Sequence, residues 1–339
     1  MNRIKIGQIG VCHEHASGKI LTLKKMPEIF EIVGVVDDRE TSSTPRFAGN
    51  DLTPYEGLRF MTEAELFNTP GLQAVTVETP NLELVPAALR CMERNLAIHM
   101  DKPGGEELER FAELRRGCEE RGLPFQMGYM FRGNPAIQWC VKAIRRGWLG
   151  EIFEAQANMN HNYGGEPYQE YLGKFPGGIM FNLGCHLIDF IVAMLGKPER
   201  VHSVLKPLNG HNRDAKINSI SILEYAHGFA EIRACSTRYT AVSGRRLLIC
   251  GSKGTIELCP MERFDKGLEL GMVLAEPAGG YEAGRHTVTF DHLRDRYENQ
   301  FRQLFSIVRG ETEADPALYD HDLAVHEVVL AASGIGTEN

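Results

Sequence analysis

The first 128 residues alternate between short apolar runs and segments of helical period, and few folds accept that alternation. Ile4-Lys5-Ile6-Gly7-Gln8-Ile9-Gly10 reads as a strand closed by glycine, Lys19 to Leu23 as part of a helix, and Phe30 to Val36 as a second strand ending on Asp37-Asp38. Thr62 and Glu65 form a capping box at a further helix start. The strand Leu72 to Val77 closes with Glu78-Thr79-Pro80-Asn81, and a helix from Leu84 to Arg94 follows. Ala97 to Met100 is a strand that turns at Asp101-Lys102-Pro103-Gly104-Gly105, before a helix (Glu106 to Arg121) and the strand Pro124 to Gly128. Strands separated by helices pair in parallel, so the expected fold is α/β, with a doubly wound parallel sheet that binds ligands outside its carboxyl strand ends.

The opening strand, turn, helix and strand, with an acid at the tip of the second strand, has the layout of a dinucleotide-binding unit. Against the glycine pattern of such units the chain offers Gly10, Cys12 and His15, so only the first glycine is kept. Cys12 makes the approach to a phosphate looser. His13 and His15 lie in the same loop. His13-Glu14-His15 carries metal-donor side chains, but no further ligand set has matching spacing, so no metal is expected.

The pattern changes after Tyr129. A helix (Ala136 to Arg146) leads into the alternating strand Glu151 to Met159, then to Asn160-His161-Asn162-Tyr163-Gly164-Gly165 and on to Tyr168, Tyr171 and Lys174. These polar and aromatic residues suit a small hydroxylated ligand. In Gly177-Gly178-Ile179-Met180-Phe181-Asn182-Leu183-Gly184-Cys185-His186-Leu187-Ile188-Asp189-Phe190, helical period puts Asn182, His186 and Asp189 on one face. Leu183, Leu187, Phe190, Ile191 and Met194 cover the other face. Alternating strands follow at 200–205, 218–225, 228–235, 245–250 and 254–258, giving a large, mainly antiparallel sheet. Residues 259–292 read as irregular and the tail as helical.

A chain of 339 residues exceeds one ordinary core, and two domains are expected: 1–128, and 129–339 with the helical tail. The net charge of -8 speaks against nucleic acid or anionic membrane as a general partner. Eight scattered cysteines without a CxxC pair fit reduced thiols, and no apolar run reaches membrane-spanning length. The first strand begins at Ile4, so no signal peptide is expected, and the chain reads as cytoplasmic.

Taken in order, the strand end Glu78-Thr79-Pro80-Asn81, the Asp101-Lys102-Pro103 turn, Gly150-Glu151-Ile152, the Gly-Gly…Gly-Cys-His-Leu-Ile-Asp helix, Gly251-Ser252-Lys253-Gly254-Thr255-Ile256 and Tyr319-Asp320-His321-Asp322-Leu323-Ala324 resemble the Gfo/Idh/MocA family. This is the family of glucose–fructose oxidoreductase and inositol dehydrogenase, and the resemblance covers nearly the whole chain. It implies a Rossmann domain joined to an α/β domain with an open sheet, and NAD or NADP held in the cleft. The implied reaction is hydride transfer from a sugar or cyclitol hydroxyl.

By the same resemblance Lys102 orients the reacting hydroxyl, the Lys102–Pro103 bond is cis, and His186 is the general base. Asn182 stands where the family has an aspartate, and an amide stabilises an imidazolium less well. Gly10, Cys12, His13, His15, Asp37, Asp38, Thr79, Pro80, Asn81, Asp101 and Lys102 are expected at the cofactor. Arg132, His161, Tyr163, Asn182, His186 and Asp189 are expected at the substrate, with Tyr129, Lys174 and Arg238 as further candidates. Asp37 favours NAD because a carboxylate repels a 2′-phosphate, and Arg39 makes NADP the second option. The open sheet implies a homodimer or homotetramer. Two other readings are a redox-neutral lyase, glycosidase or epimerase that retains NAD, and a non-catalytic member of the family.

Overall fold

The computed structural model describes residues 3–42, 51–162, 165–209, 214–240 and 242–336. The chain divides into two compact units, Met1–Tyr129 with Tyr297–His326 and Met130–Arg296 with Glu327–Asn339.

The first unit contains β1 (Ile4–Ile9), α1 (Ala16–Lys24), β2 (Phe30–Val36), β3 (Phe60–Met61), α2 (Glu63–Phe67), β4 (Ala74–Val77), α3 (Leu84–Glu93), β5 (Ala97–Met100), α4 (Leu108–Glu120) and β6 (Phe125–Met127). Its six strands are all parallel, in the order β3-β2-β1-β4-β5-β6. Helices on both faces leave no solvent side, so every residue of β4 and β5 is buried and the strands read as continuous runs rather than alternations. The order reverses direction at β1 and β4, where open parallel sheets form their ligand crevice. Gly10 sits at that point with φ +93°, and a Cβ there would lie 2.6 Å from the backbone of Glu78 and Thr79. Only glycine lets the β1 loop run so close to the end of β4. The Thr62–Glu65 capping box is present at the start of α2.

The second unit holds α5 (Pro135–Arg145), β7 (Ile152–Asn160), α6 (Gly165–Leu172), a π-helical turn (Met180–Gly184) and α7 (Cys185–Leu195). The strands β8 (Arg200–Lys206), β9 (Asn218–Tyr225), β10 (Gly228–Cys235), β11 (Arg245–Gly251), β12 (Gly254–Leu258), β13 (Leu268–Leu274) and β14 (Gly284–Phe290) follow. The eight strands are ordered β14-β13-β12-β11-β7-β10-β9-β8. Every pair is antiparallel except β7 with β10. Ala155, Ala157 and Met159 of β7 and Ala230, Ile232 and Ala234 of β10 are buried beneath α7. Small residues there let the helix lie close to the sheet. The opposite face carries Val204, Phe229 and Val273, which are 53%, 45% and 41% exposed.

Three expectations change. The irregular stretch 259–292 contains β13 and β14. In β13 Leu268, Leu270, Met272 and Leu274 are buried between exposed neighbours, a period-two signal that Gly271 weakens. Polar, Pro167-containing α6 replaces an expected loop. The tail helices are α8 (Glu298–Val308) and α9 (Leu318–Ala332), and residues 297–326 belong to the first unit rather than the second. Phe301 and Phe305 of α8 set their rings edge-on against Phe30 of β2, with centroids 6.1 and 6.0 Å away. Arg115 of α4 is paired with Asp322 of α9 at 2.9 Å.

Candidate functional site

In the first unit the loops after β1, β4 and β5 converge on one polar cluster. The N–H groups of Val11 and Cys12 donate to Asp38 Oδ1 at 2.8 and 3.1 Å, and that of His13 donates to the Glu78 carbonyl at 3.0 Å. These bonds stretch the loop between the two strand ends. Asp38 Oδ2 is buried with no hydrogen-bond partner among the described residues, and burial pushes the Asp38 carboxyl above its ordinary value. Asp37 instead turns to Arg39, whose Nε and Nη2 donate to it at 2.6–3.0 Å. The inner acid is therefore Asp38, while Asp37 is neutralised outside.

Beneath the loop lies a buried ionic network that adjacency in sequence does not reveal. Lys19 Nζ from α1 reaches Asp101 Oδ2 at 2.9 Å, Glu78 Oε1 at 3.3 Å and His99 Nε2 at 2.6 Å. Because the lysine donates to Nε2, the His99 proton sits on Nδ1 and is given to Gln126 Oε1 at 2.8 Å. His13 Nε2 meets Asn81 Oδ1 at 3.0 Å, and His15 Nδ1 meets the Asp101 carboxylate at 3.1 and 3.2 Å. Lys102 Nζ donates to Glu14 Oε1 at 3.1 Å, and the Lys102–Pro103 bond is cis. Lys19, Lys102, Glu78, Asp101, His13 and His99 are all fully buried.

Burial sets most of the charge states. It brings the His13 and His99 imidazoles down to about 3 and lowers His15, so all three are neutral near pH 7. It raises Glu78 well above the usual carboxylate range, with Lys19 offsetting only part of the effect. For Asp101 burial is outweighed by His13, Lys19 and His15, which hold the carboxyl well below its ordinary value. For Glu14 burial is outweighed by Lys102 and the two histidines, giving about 2. The negative charge thus rests on Asp101 and Glu14, each facing a buried lysine.

In the second unit the π-helical turn delivers Asn182 and α7 delivers His186 and Asp189, all buried. The expected polar face is surrounded by protein, since Cys185 through Val192 are buried without a break. Asn182 Nδ2 donates to the Tyr168 hydroxyl at 2.9 Å. Arg132 grips Asp189 through Nε and Nη2 at 2.6–3.2 Å, so this carboxylate serves the arginine. The His186 ring lies edge-on to Phe131 at 6.1 Å, and the His161 ring is 6.0 Å from that of Tyr168.

The expected residues thus fall into two groups. Gly10, Cys12, His13, His15, Asp38, Thr79, Pro80, Asn81, Asp101 and Lys102 come together at the strand ends of the first unit, with Asp37 beside them. Arg132, Asn182, His186, Asp189 and His161 lie in the second unit, Lys174 and Arg238 are exposed, and Tyr163 lies outside the described residues. Of the residues these networks use, the sequence reading gave no site role to Lys19 and His99. Charged or imidazole side chains on an apolar strand or helix face were the available signal for Lys19 and His99.

Residues 137–257 match the family model described as GFO/IDH/MocA C-terminal domain. Trans-1,2-dihydrobenzene-1,2-diol dehydrogenase of Sus scrofa is 23% identical over 72% of this chain and 72% of its own length. Among solved structures, GenD2 from gentamicin A biosynthesis, in complex with NAD, superposes with a TM-score of 0.77 at 18% identity, over 99% of this chain and 96% of that one. The WlbA dehydrogenase from Bordetella pertussis, in complex with NADH and UDP-GlcNAcA, gives 0.75 at 19% identity, over 99% and 98%. The likeness to the Gfo/Idh/MocA family read from the sequence is matched by the domain model over residues 137–257.

Proposed function

We propose that this protein is an NAD-dependent dehydrogenase acting on a hydroxyl of a sugar, cyclitol or related molecule, with NADP as the less favoured cofactor. The observation that carries the reading is a buried lysine, Lys102, at a strand end of a parallel sheet whose Asp38 keeps an unused buried oxygen. That oxygen is an acceptor of the kind a ribose hydroxyl needs, and the first turn of α1 has no acidic residue to oppose a phosphate. The residues that would hold the dinucleotide are Gly10, the loop from Val11 to His15, Asp38 and Thr79. A bound nicotinamide supplies the hydride acceptor. Lys102, held by Glu14, orients and polarises the reacting hydroxyl, and His186 takes its proton. Asn182 bonds Tyr168 and contributes no carboxylate to that histidine.

The proteins named above, a diol dehydrogenase and a dehydrogenase solved in complex with NADH and UDP-GlcNAcA, support this substrate class. No described helix is long and apolar enough to cross a membrane, and all eight cysteines are free thiols, which supports a reducing compartment such as the cytoplasm. The exposed sheet face around Val204 and Phe229 supports assembly into a homodimer or homotetramer. The test is to offer NAD+ with a panel of sugars, inositols and sugar acids while following NADH absorbance, for the wild type, Lys102→Met and His186→Asn. Turnover of at least one polyol, reduced about 100-fold or more in both variants, is expected. Turnover untouched by either substitution overturns the assignment.

A further inference from the structure

We infer that His13, His15 and Asp101 form a binding site for one divalent transition-metal ion of the zinc class, a site that shares His13 and His15 with the loop assigned above to the dinucleotide. One donor atom from each of the three side chains lies within 4.8 Å of the others. His13 Nδ1 is 3.4 Å and His15 Nδ1 3.1 Å from Asp101 Oδ2. A tetrahedral ion with bonds of about 2.0–2.1 Å separates its ligand atoms by about 3.3 Å, so these spacings already match two edges of such a polyhedron.

The tautomer of His13 is also set for ligation. Its Nε2–H is spent on Asn81 Oδ1 at 3.0 Å, and Nδ1 accepts from the His15 backbone N–H at 3.1 Å. The Nδ1 lone pair is thus engaged by the His15 N–H, and an ion takes it by displacing that bond. An imidazole whose far nitrogen is tied to an oxygen is the usual outer support of a metal ligand.

Within this cluster Asp101 and Glu14 carry the negative charge against two ammonium groups, Lys19 and Lys102. Lys19 Nζ, 2.9 Å from Asp101 Oδ2, is the nearest competing cation, and it keeps Glu78 and His99 as alternative partners. Two imidazoles and one carboxylate select zinc, cobalt or iron over magnesium and leave a fourth position open. An oxygen ligand taken there is polarised by the ion.

The experiment titrates the metal-depleted full-length protein, without nucleotide, with Co2+, and reads the visible ligand-field bands. Zn2+ and Mg2+ serve as competitors, and thermal melting is recorded alongside. The expected result is one Co2+ per chain, displaced by Zn2+ and not by Mg2+. Affinity should fall about 100-fold or more in His15→Ala and remain unchanged in His202→Ala, an exposed control. His15 is partly exposed, at 12%, so His15→Ala stays informative even where Asp101→Asn fails to fold. No stoichiometric binding by the wild type, or binding that survives His15→Ala, overturns the site. Because no nucleotide is present, either result leaves the dehydrogenase reading to its own test.

Discussion

Glu14 and Lys102, 88 positions apart in sequence, are joined by a hydrogen-bonded ion pair of 3.1 Å with the lysine fully buried. The loop after β1 thus supplies the counter-ion for the lysine on which the proposed chemistry depends. Removing one member of a buried pair leaves an uncompensated charge, at a cost of about 3–5 kcal/mol, whereas removing both is far milder. Lys102→Met should therefore lose stability as well as turnover. The double variant Glu14→Gln/Lys102→Met should recover most of the stability and none of the turnover. Denaturant unfolding and initial rates on the same preparations check this. A double variant as unstable as the single one would show that the pair is not the source of the loss.

The framework of this site was readable in the sequence, and its interior was not. Strand ends at Asp38, Glu78 and Asp101 follow from local apolar runs, and the Thr62–Glu65 box from four adjacent residues. Lys19 belongs to α1, Glu78 follows β4, and His99 and Asp101 lie in and just after β5, so only the pairing of β1, β4 and β5 brings them together. No local period encodes that. The Asn182–Tyr168 bond was hidden for a related reason: α6 is short and polar, and its apolar payload is mostly tyrosine. Conversely β13 was visible in principle, since Leu268, Leu270, Met272 and Leu274 recur at every second position, although Gly271 and the exposed Val273 blur the pattern.

Cofactor choice follows from the two adjacent acids. Asp37 occupies Arg39 through a bidentate contact of 2.6–3.0 Å, so the arginine is not offered to a 2′-phosphate. Asp37→Ala should free Arg39 and raise NADP affinity relative to NAD by about tenfold, one charge-assisted contact being worth ~1.5–3 kcal/mol. Asp38→Ala should weaken both cofactors together, because it removes the inner acceptor and frees the loop N–H groups it holds. Parallel calorimetric titrations with the two cofactors decide this. An unchanged ratio in Asp37→Ala would place specificity elsewhere.

Stability should fall on mild acidification. His13, His99 and His326 have folded-state values of about 3, below the unfolded value of about 6.5, so the unfolded chain binds more protons between them. The stabilising contribution is complete above pH ~6.5 and is lost as pH falls towards 3, at about 1.4 kcal/mol per histidine per unit. His326 is the cleanest probe. It packs 4.8 Å from the Phe111 ring, and neither ring nitrogen has a hydrogen-bond partner among the described residues. His326→Phe should match the wild type near pH 7.5 and exceed it at pH 5, as read by unfolding midpoints. Parallel pH dependences would show that His326 does not titrate in this way.

The exposed sheet face offers a separate test of assembly. Val204 and Phe229 are 53% and 45% exposed on the side of the sheet away from α7. Val204→Asp and Phe229→Asp should shift the protein towards monomer in sedimentation velocity while leaving the melting of the monomer intact. An unchanged sedimentation profile would remove this face as the interface.

The central claim is that the first unit holds a nicotinamide dinucleotide and that the bound cofactor oxidises a sugar or polyol hydroxyl. The most direct measurement is mass and absorbance analysis of the purified protein for nicotinamide, followed by addition of sugars with and without external NAD+. The account predicts reversible NAD+ binding and net NADH formation with at least one polyol. Tightly retained NAD that converts a sugar with no net NADH would contradict the dehydrogenase assignment and favour redox-neutral chemistry. Absence of affinity for any nicotinamide cofactor would contradict the account as a whole.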